Sequence, residues 1–526
     1  MRRPLLAAAA LCAFHAVLAL LWLSGNDLPL GARDEFMMVE RCTDFVFNVR
    51  RGDFGGAWAV LREAYYPPGS RLAGIAALLV GGGYRAMVVA HVLAWAPLLV
   101  AGTLLAARPS GRWAGVAALA LLLGGPSTLD GLHRFEPNFS QMAATALALA
   151  CWLRCDDFRD RRWSLAFGGA LAVGLMSDRL GTVPFAAAPV LLSLWRARGE
   201  ALAGVLRAGA LAAGLVVWWY VFFVGELVRE IVPQLTAGEM GRDAVVTEAM
   251  VRWPFSWLQE LIRIPDTHLG LFGGVLALIA LAAALPRWRD RRVADLLVWI
   301  LPGLLLFTVV PKHQSYYTMP LLPALCVLTV HVARGWGNAG RAAALVVLAL
   351  CQLPAVFTVR EELLDLPRGM ASWALLGMSP LPSEVIGERY PVGDPPRDSL
   401  LGLQDRLAEL ELGPDEELVV FASDAMIAES FLVSLSRIER GTLAVHGVVL
   451  HPGSVRELAD PRAFLFVTPT PAWPDDDLIR QAFLDRLDDT DPSQVVEAAA
   501  GWASDVAPVG AVELASGGYA VTWRRP

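Results

Sequence analysis

Residues 1–24 read MRRPLLAAAALCAFHAVLALLWLS: two arginines, then an uncharged apolar run from 5 to 23. A helix needs roughly 20 such residues to cross a hydrocarbon core of ~30 Å, where no water is present to satisfy exposed backbone groups. The same pattern can serve as a secretory signal. Here further apolar stretches follow and no clear small-x-small cleavage site precedes Asn26, so it reads as a retained first crossing. Arg2 and Arg3 hold its start in the cytoplasm, and the chain emerges outside near Ser24.

Blocks of the same kind, rich in Leu, Ala, Val and Gly, recur at 86–107, 113–129, 139–154, 164–178, 181–195, 203–224, 269–286, 295–310, 320–334 and 342–359. The fifth and sixth crossings are among the shortest. Eleven crossings suit a chain of 526 residues that is 55% hydrophobic with a mean hydropathy of +0.48, too apolar for a soluble protein of this size. An odd count places the C-terminal part outside. The positive-inside rule gives the same answer independently. The loops assigned to the cytoplasm carry Arg108/Arg112, Arg154/Arg159/Arg161/Arg162, Arg196/Arg198, Arg287/Arg289/Arg291/Arg292 and Arg334/Arg341.

The expected fold is therefore an α-helical polytopic inner-membrane protein. Residues 1–359 form the transmembrane domain and residues 360–526 an acidic, extracytoplasmic α/β domain. From Glu361 onward there are 28 Asp/Glu against 12 Arg, a net −16, while the whole chain is −7. That balance excludes a nucleic-acid partner, which needs a basic footprint. In the tail, 418–421, 443–449 and 463–467 are β-like runs, and 423–433 and 477–487 look helical, each opened by a capping residue, Ser423 or Asp477. The six cysteines, Cys12, Cys42, Cys151, Cys155, Cys326 and Cys351, fit neither a disulfide framework nor a metal cluster.

The first outer piece, 24–85, is more than a linker. Phe36, Val39, Val46 and Phe47 make one apolar stripe at helical spacing; Phe54, Trp58, Leu61 and Tyr65 make another. Two amphipathic helices along the membrane surface explain the pattern. Pro67-Pro68-Gly69 then breaks the helix, and 72–80 dips back into the apolar layer.

Four clusters on the outer side carry candidate chemistry. Asp34 and Glu35, adjacent carboxylates just beyond the first helix, suit a general base that removes a proton from an acceptor hydroxyl. Taken alone, such a pair is more commonly a helix cap. Lys312 is the only lysine in the chain, the other 43 basic positions being arginine. It stands in Pro311-Lys312-His313-Gln314-Ser315-Tyr316-Tyr317, where a compact cation can hold a phosphate at headgroup level. His133-Arg134-Phe135-Glu136 ends the third crossing, and Asp178-Arg179 lies in the turn between the fifth and sixth. Charges at such depths are costly unless paired or functional. Each cluster alone is more often a structural ion pair; their convergence on one face is the stronger signal.

The order of these motifs resembles the GT-C membrane glycosyltransferases, in particular the branch of protein O-mannosyltransferases, the lipid A aminoarabinose transferase and the RgtA/B/C/D-like bacterial enzymes. The matching elements are the outer Asp-Glu, Tyr-Pro-Pro at 66–68, Arg-x-Glu-Pro at 134–137, a basic residue in a short hairpin, and Lys-x-x-x-Tyr-Tyr-x-x-Pro-x-x-Pro at 312–323. The resemblance covers about residues 1–335. It implies transfer of a sugar, with inversion, from a polyprenyl-phosphate donor to a lipid, glycan or protein acceptor on the outer face. It implies Asp34 as catalytic base with Glu35 beside it, and Tyr66 and Pro67 shaping the cavity. Arg134, Glu136 and Arg179 would face the sugar or carrier, and Lys312, His313, Tyr316 and Tyr317 the phosphate. Glu136 stands where the family usually has Asp, and Arg179 where it often has Lys. Some relatives by fold need a divalent metal; the carboxylates here are too few and scattered to expect a metal or other cofactor. Two other readings stay open, a lipid or solute transporter and a non-catalytic scaffold of an envelope-glycan pathway. A transporter would call for mid-bilayer charges and inverted repeats, and neither is clear.

Overall fold

A computed structural model describes residues 2–25, 33–63, 66–178, 181–197, 199–236, 261, 263–309 and 315–353, together with five strands between 418 and 524. The chain is a helical, multi-pass membrane protein. Its helices are α1 (Arg2–Gly25), α2 (Arg33–Arg50), α3 (Phe54–Glu63), α4 (Leu72–Leu79), α5 (Tyr84–Ala107), α6 (Ala114–Leu123), α7 (Pro126–His133), α8 (Pro137–Trp152), α9 (Arg161–Ser177), α10 (Val183–Ala197), α11 (Leu202–Thr236), α12 (Gly270–Ala284), α13 (Arg291–Val309), α14 (Leu322–Ala333) and α15 (Asn338–Leu350). Each expected crossing except the third overlaps one of these helices, the last of them only over 342–350, with 354–359 outside the described residues. Four stretches are long and apolar enough to cross a bilayer unaided: Arg2–Ser24 in α1, Tyr84–Ser110 (α5 with the 3₁₀ turn after it), Leu202–Val224 in α11, and Gly270–Arg287 (α12 with the 3₁₀ turn after it).

The third crossing needs correcting. The block 113–129 is not one helix but two, α6 and α7, bent by 71°. Gly124 and Gly125 stand at the break because other backbones come too close for a side chain. A Cβ on Gly124 would lie 2.2 Å from the Cys351 carbonyl oxygen, and one on Gly125 would lie 2.4 Å from that of His268. Pro126 then opens α7, where a missing N–H costs nothing. Ten residues of α6 rise only ~15 Å, about half the hydrocarbon thickness.

The centre of the bundle is α8, in which every residue except Leu147 is buried. Its sequence, PNFSQMAATALALACW, is rich in small residues, which let neighbouring helices approach closely without lost packing. Its buried hydroxyls are satisfied locally, Ser140 Oγ donating to Pro137 O at 2.6 Å and Thr145 Oγ1 to Gln141 O at 2.7 Å. Trp152 Nε1 donates to Ser193 Oγ at 3.0 Å, which ties α8 to α10. On the outside of the bundle, Leu93, Leu191, Trp195 and Val221 are exposed, as residues facing lipid must be.

The basic loops meet at one end of this bundle. Arg291 pairs with Asp157 at 2.8 Å, Arg196 with Asp295, and Arg159 with Glu200 at 2.9 Å. Arg334 donates to Ser110 O at 3.0 Å, and Arg292 donates to Ala106 O. These bonds knit together the α5–α6, α8–α9, α10–α11, α12–α13 and α14–α15 connections. The sidedness shared by those loops is thus physical contact.

By contacts the chain divides into two units, residues 1–27 with 55–389, and residues 28–54 with 390–526. In the second unit, β1 (Leu418–Phe421), β2 (Val448–Val449), β3 (Ala463–Thr468), β4 (Ala507–Glu513) and β5 (Tyr519–Arg524) form one sheet in the order β2-β1-β3-β5-β4. β1 is parallel to β2 and β3, while β5 is antiparallel to β3 and β4. β4 and β5 were not anticipated from the sequence, and the expected helices at 423–433 and 477–487 lie outside the described residues. Also in this unit is α2, which buries Met38, Val39, Cys42 and Val46. In α3 of the first unit, Trp58 is exposed yet stacks on Trp218 of α11 at 5.8 Å, and Arg62 lies over Phe222 at 5.5 Å.

The α5–α8 crossing depends on Gly102, where a Cβ would lie 2.5 Å from the backbone carbon of Ala146. Gly102→Leu has to push two backbones apart, at about 1–3 kcal/mol or more. Thermal unfolding in detergent should show a lowered midpoint for Gly102→Leu and little change for Gly209→Leu, which meets nothing within 4 Å.

Candidate functional site

The end of the bundle away from the basic loops gathers the breaks in its helices. Between α7 and α8 the chain is extended, with Arg134 at φ −120°, ψ 160° and Glu136 at φ −119°, ψ 146°. Arg134 Nε lies 2.9 Å from Asp130 Oδ1, one turn back on α7, and Arg134 Nη1 donates to Glu136 Oε1 at 3.2 Å. All three residues are largely withdrawn from solvent. Beside them, His133 stacks on Trp22 of α1, rings 4.4 Å apart and nearly parallel. Phe135 is fully buried and meets the His91 ring edge-on at 5.0 Å.

A second break is the Tyr66-Pro67-Pro68 element. Pro67 is extended, and Pro68–Ser70 makes one 3₁₀ turn before α4. The turn is closed by a fully buried arginine. Arg71 Nη2 donates to the Tyr66 carbonyl at 2.9 Å and Nη1 to that of Val60 at 3.4 Å. The loop is pressed against the last turn of α9, where a Cβ on Gly69 would lie 2.4 Å from the Met176 carbonyl oxygen. Asp178 follows directly at the C-terminus of α9, in extended conformation.

A third break is the 3₁₀ turn Ser315–Leu321, packed on α8. Tyr317 stacks on Phe307 of α13 at 5.6 Å. Thr318 Oγ1 lies 2.7 Å from His268 Nε2, and the other ring nitrogen, Nδ1, lies 2.9 Å from Ser127 Oγ on α7. Burial, with the positive charge of Arg263 second, pushes the His268 imidazole down from 6.5 to about 3.

Four expected site residues, Tyr66, Pro67, Arg134 and Glu136, therefore lie in buried turns of one unit, as does the Tyr317 stack. Asp34 and Glu35 fall in the first turn of α2, inside the helix rather than before it, and Glu35 is fully buried. Of Tyr316 only the backbone is described, in the 3₁₀ turn. Arg179, Lys312 and His313 lie outside the described residues. Sequence reasoning missed Asp130, Arg71 and His268. Asp130 was discoverable, since it precedes Arg134 by the four residues that bring helical side chains together. Nothing local marked His268, whose partners are 141 and 50 residues away in the chain.

The His268 shift has a sign that can be measured. Between 6.5 and about 3 the unfolded chain takes up a proton that the folded chain refuses. The contribution is complete above that window and is lost as pH falls through it, at about 1.4 kcal/mol per pH unit. Unfolding midpoints recorded against pH should fall on the acid side, and His268→Gln should flatten that limb.

No family model matches this sequence, and no curated protein does. Solved structures do. One is ArnT from Cupriavidus metallidurans bound to undecaprenyl phosphate, with a TM-score of 0.56 and 16% identity over 98% of each chain. Another is the same enzyme in the apo state, with a TM-score of 0.53 and 16% identity over 88% of this chain and 93% of that one. The chain thus has, over nearly its whole length, the fold of ArnT, the lipid A aminoarabinose transferase and a GT-C membrane glycosyltransferase.

Proposed function

We propose that this protein is an inverting glycosyltransferase that moves a sugar from a polyprenyl-phosphate carrier to an acceptor hydroxyl on the outer face of the membrane. The observation that carries this reading is the near end-to-end likeness to an ArnT structure that holds undecaprenyl phosphate. The motif order 34–35, 66–68, 134–137 and 312–323 supports it from the sequence side.

The chemistry divides among the residues as follows. Asp34 removes the proton from the acceptor hydroxyl, with Glu35 as its neighbour. The freed oxygen attacks the anomeric carbon from the side opposite the phosphate, so configuration inverts. The bond from that carbon to the phosphate oxygen breaks, and its electron pair stays on the departing lipid phosphate. Lys312, His313 and Arg179 spread that charge, with Tyr316 and Tyr317 beside it. The buried elbow at 134–136 and the proline loop at 66–68 shape the sugar's surroundings and hold donor and acceptor in line. A prenyl chain can stay in hydrocarbon while its phosphate reaches this boundary. In this reading residues 1–359 carry the transfer reaction, and 360–526 stand outside the cytoplasm.

Asp34→Asn should lower sugar transfer about 100-fold or more at normal expression, read by mass analysis of cell-envelope glycans with and without the variant. Unchanged transfer would sink the enzymatic reading and leave the scaffold in its place. Asp34→Cys and Lys312→Cys should both react with a membrane-impermeant thiol reagent added from outside. Labelling from opposite sides of the bilayer would rule out a shared site.

A further inference from the structure

One imidazole joins α7 to the Ser315–Leu321 turn. His268 ends a five-residue π-helical turn, Ile264–His268, immediately ahead of α12. Such turns are rare and recur at functional sites. The His268 ring is fully buried and places one nitrogen on a hydroxyl of α7 and the other on a hydroxyl of the Ser315–Leu321 turn. Its backbone meets the α6–α7 break, where its carbonyl would lie 2.4 Å from any Cβ on Gly125. A neutral imidazole has one donor and one acceptor nitrogen. A hydroxyl can take either role, so both bonds can be made at once.

The elements joined this way are short and irregular, and each adjoins residues already assigned a role. α7 leads into Arg134 and Glu136. The Ser315–Leu321 turn carries Tyr316 and Tyr317 and directly follows Lys312 and His313 in the chain. Neither element has a long helical ladder of its own to set its position. Burial obliges both ring nitrogens to find partners; what is particular to His268 is that the two partners stand on separate elements, α7 and the Ser315–Leu321 turn.

We propose that His268 is a positioning residue for the carrier phosphate: through Thr318 and Ser127 it holds the Ser315–Leu321 turn, which carries Tyr317, in register with α7 and the Arg134–Glu136 elbow that follows it. This inference rests on the glycosyltransferase reading above.

The test uses the full chain in detergent with undecaprenyl phosphate as the probe. His268→Ala should weaken its binding about tenfold, as expected when two buried hydroxyls each lose a hydrogen bond. It should also speed amide hydrogen exchange across 315–321 about tenfold or more. His268→Gln, whose amide reaches the Nε2 position and keeps the Thr318 bond, should bind within about threefold of the unaltered protein on the same scale. His268→Asn, which reaches only the Nδ1 position, should resemble His268→Ala. A purely structural role would instead lower the thermal midpoint and the binding-competent fraction, with the affinity of the folded fraction unchanged; that result overturns the proposal. So does unaltered exchange at 315–321, or equal binding by Ala and Gln variants. Failure of the underlying reading shows differently, since the unaltered protein itself would then not bind the lipid phosphate.

Discussion

A polypeptide in hydrocarbon has no water to complete its backbone hydrogen bonds, so it leaves the helical conformation only where other protein surrounds it. That constraint organises this molecule. α8 is enclosed on nearly every side, and the irregular turns at 66–70, 134–136, 264–268 and 315–321 are packed into the end of the bundle around it. Each turn has a local solution for its polar groups: Arg71 bonds the carbonyls of Tyr66 and Val60, and His268 joins two hydroxyls. The opposite end holds the arginine-rich loops, satisfied by ion pairs and carbonyls of neighbouring connections.

The Asp130–Arg134–Glu136 cluster is informative because buried ion pairs are a poor source of stability. Desolvation consumes much of the attraction, and well-packed apolar residues often serve as well or better. Membrane proteins keep intramembrane charges mainly where substrates, ions or partners need them. The cluster spans the end of α7 and the extended elbow that leads to Pro137, the first residue of α8, so a helix bounds the elbow on each side. A rigid, charged elbow beside a proline loop suits a site that must hold a polar headgroup while its hydrocarbon tail stays in the bilayer.

Much of this was legible beforehand. Apolar runs located the helices because membrane crossing demands length and hydrophobicity and little else. Arginine placement located the loops that share an end. The α2 and α3 stripes located two further helices: α2 buries Val39 and Val46 of its stripe, with Met38 and Cys42 beside them, although Phe54 and Trp58 of α3 are exposed. The break at Gly124-Gly125 was invisible because its cause is distant: the backbones at 268 and 351 pass too close for side chains. β4 and β5 also escaped notice. Pro508 and Gly510 give β4 little strand signal of its own, whereas Tyr519, Val521, Thr522 and Trp523 are strand formers and could have marked β5; register with β3 and with each other holds both.

The amino-acid order by itself determined that the chain crosses a membrane repeatedly, which loops share a side, and which short motifs carry unusual chemistry. These are local or additive properties, readable from runs, counts and spacing. Only the tertiary structure decided where helices break, that Arg134 is held between Asp130 and Glu136, and that one histidine joins α7 to the Ser315–Leu321 turn. Those outcomes depend on close approach between residues far apart in the chain, and on the need to satisfy every buried polar group where no solvent can.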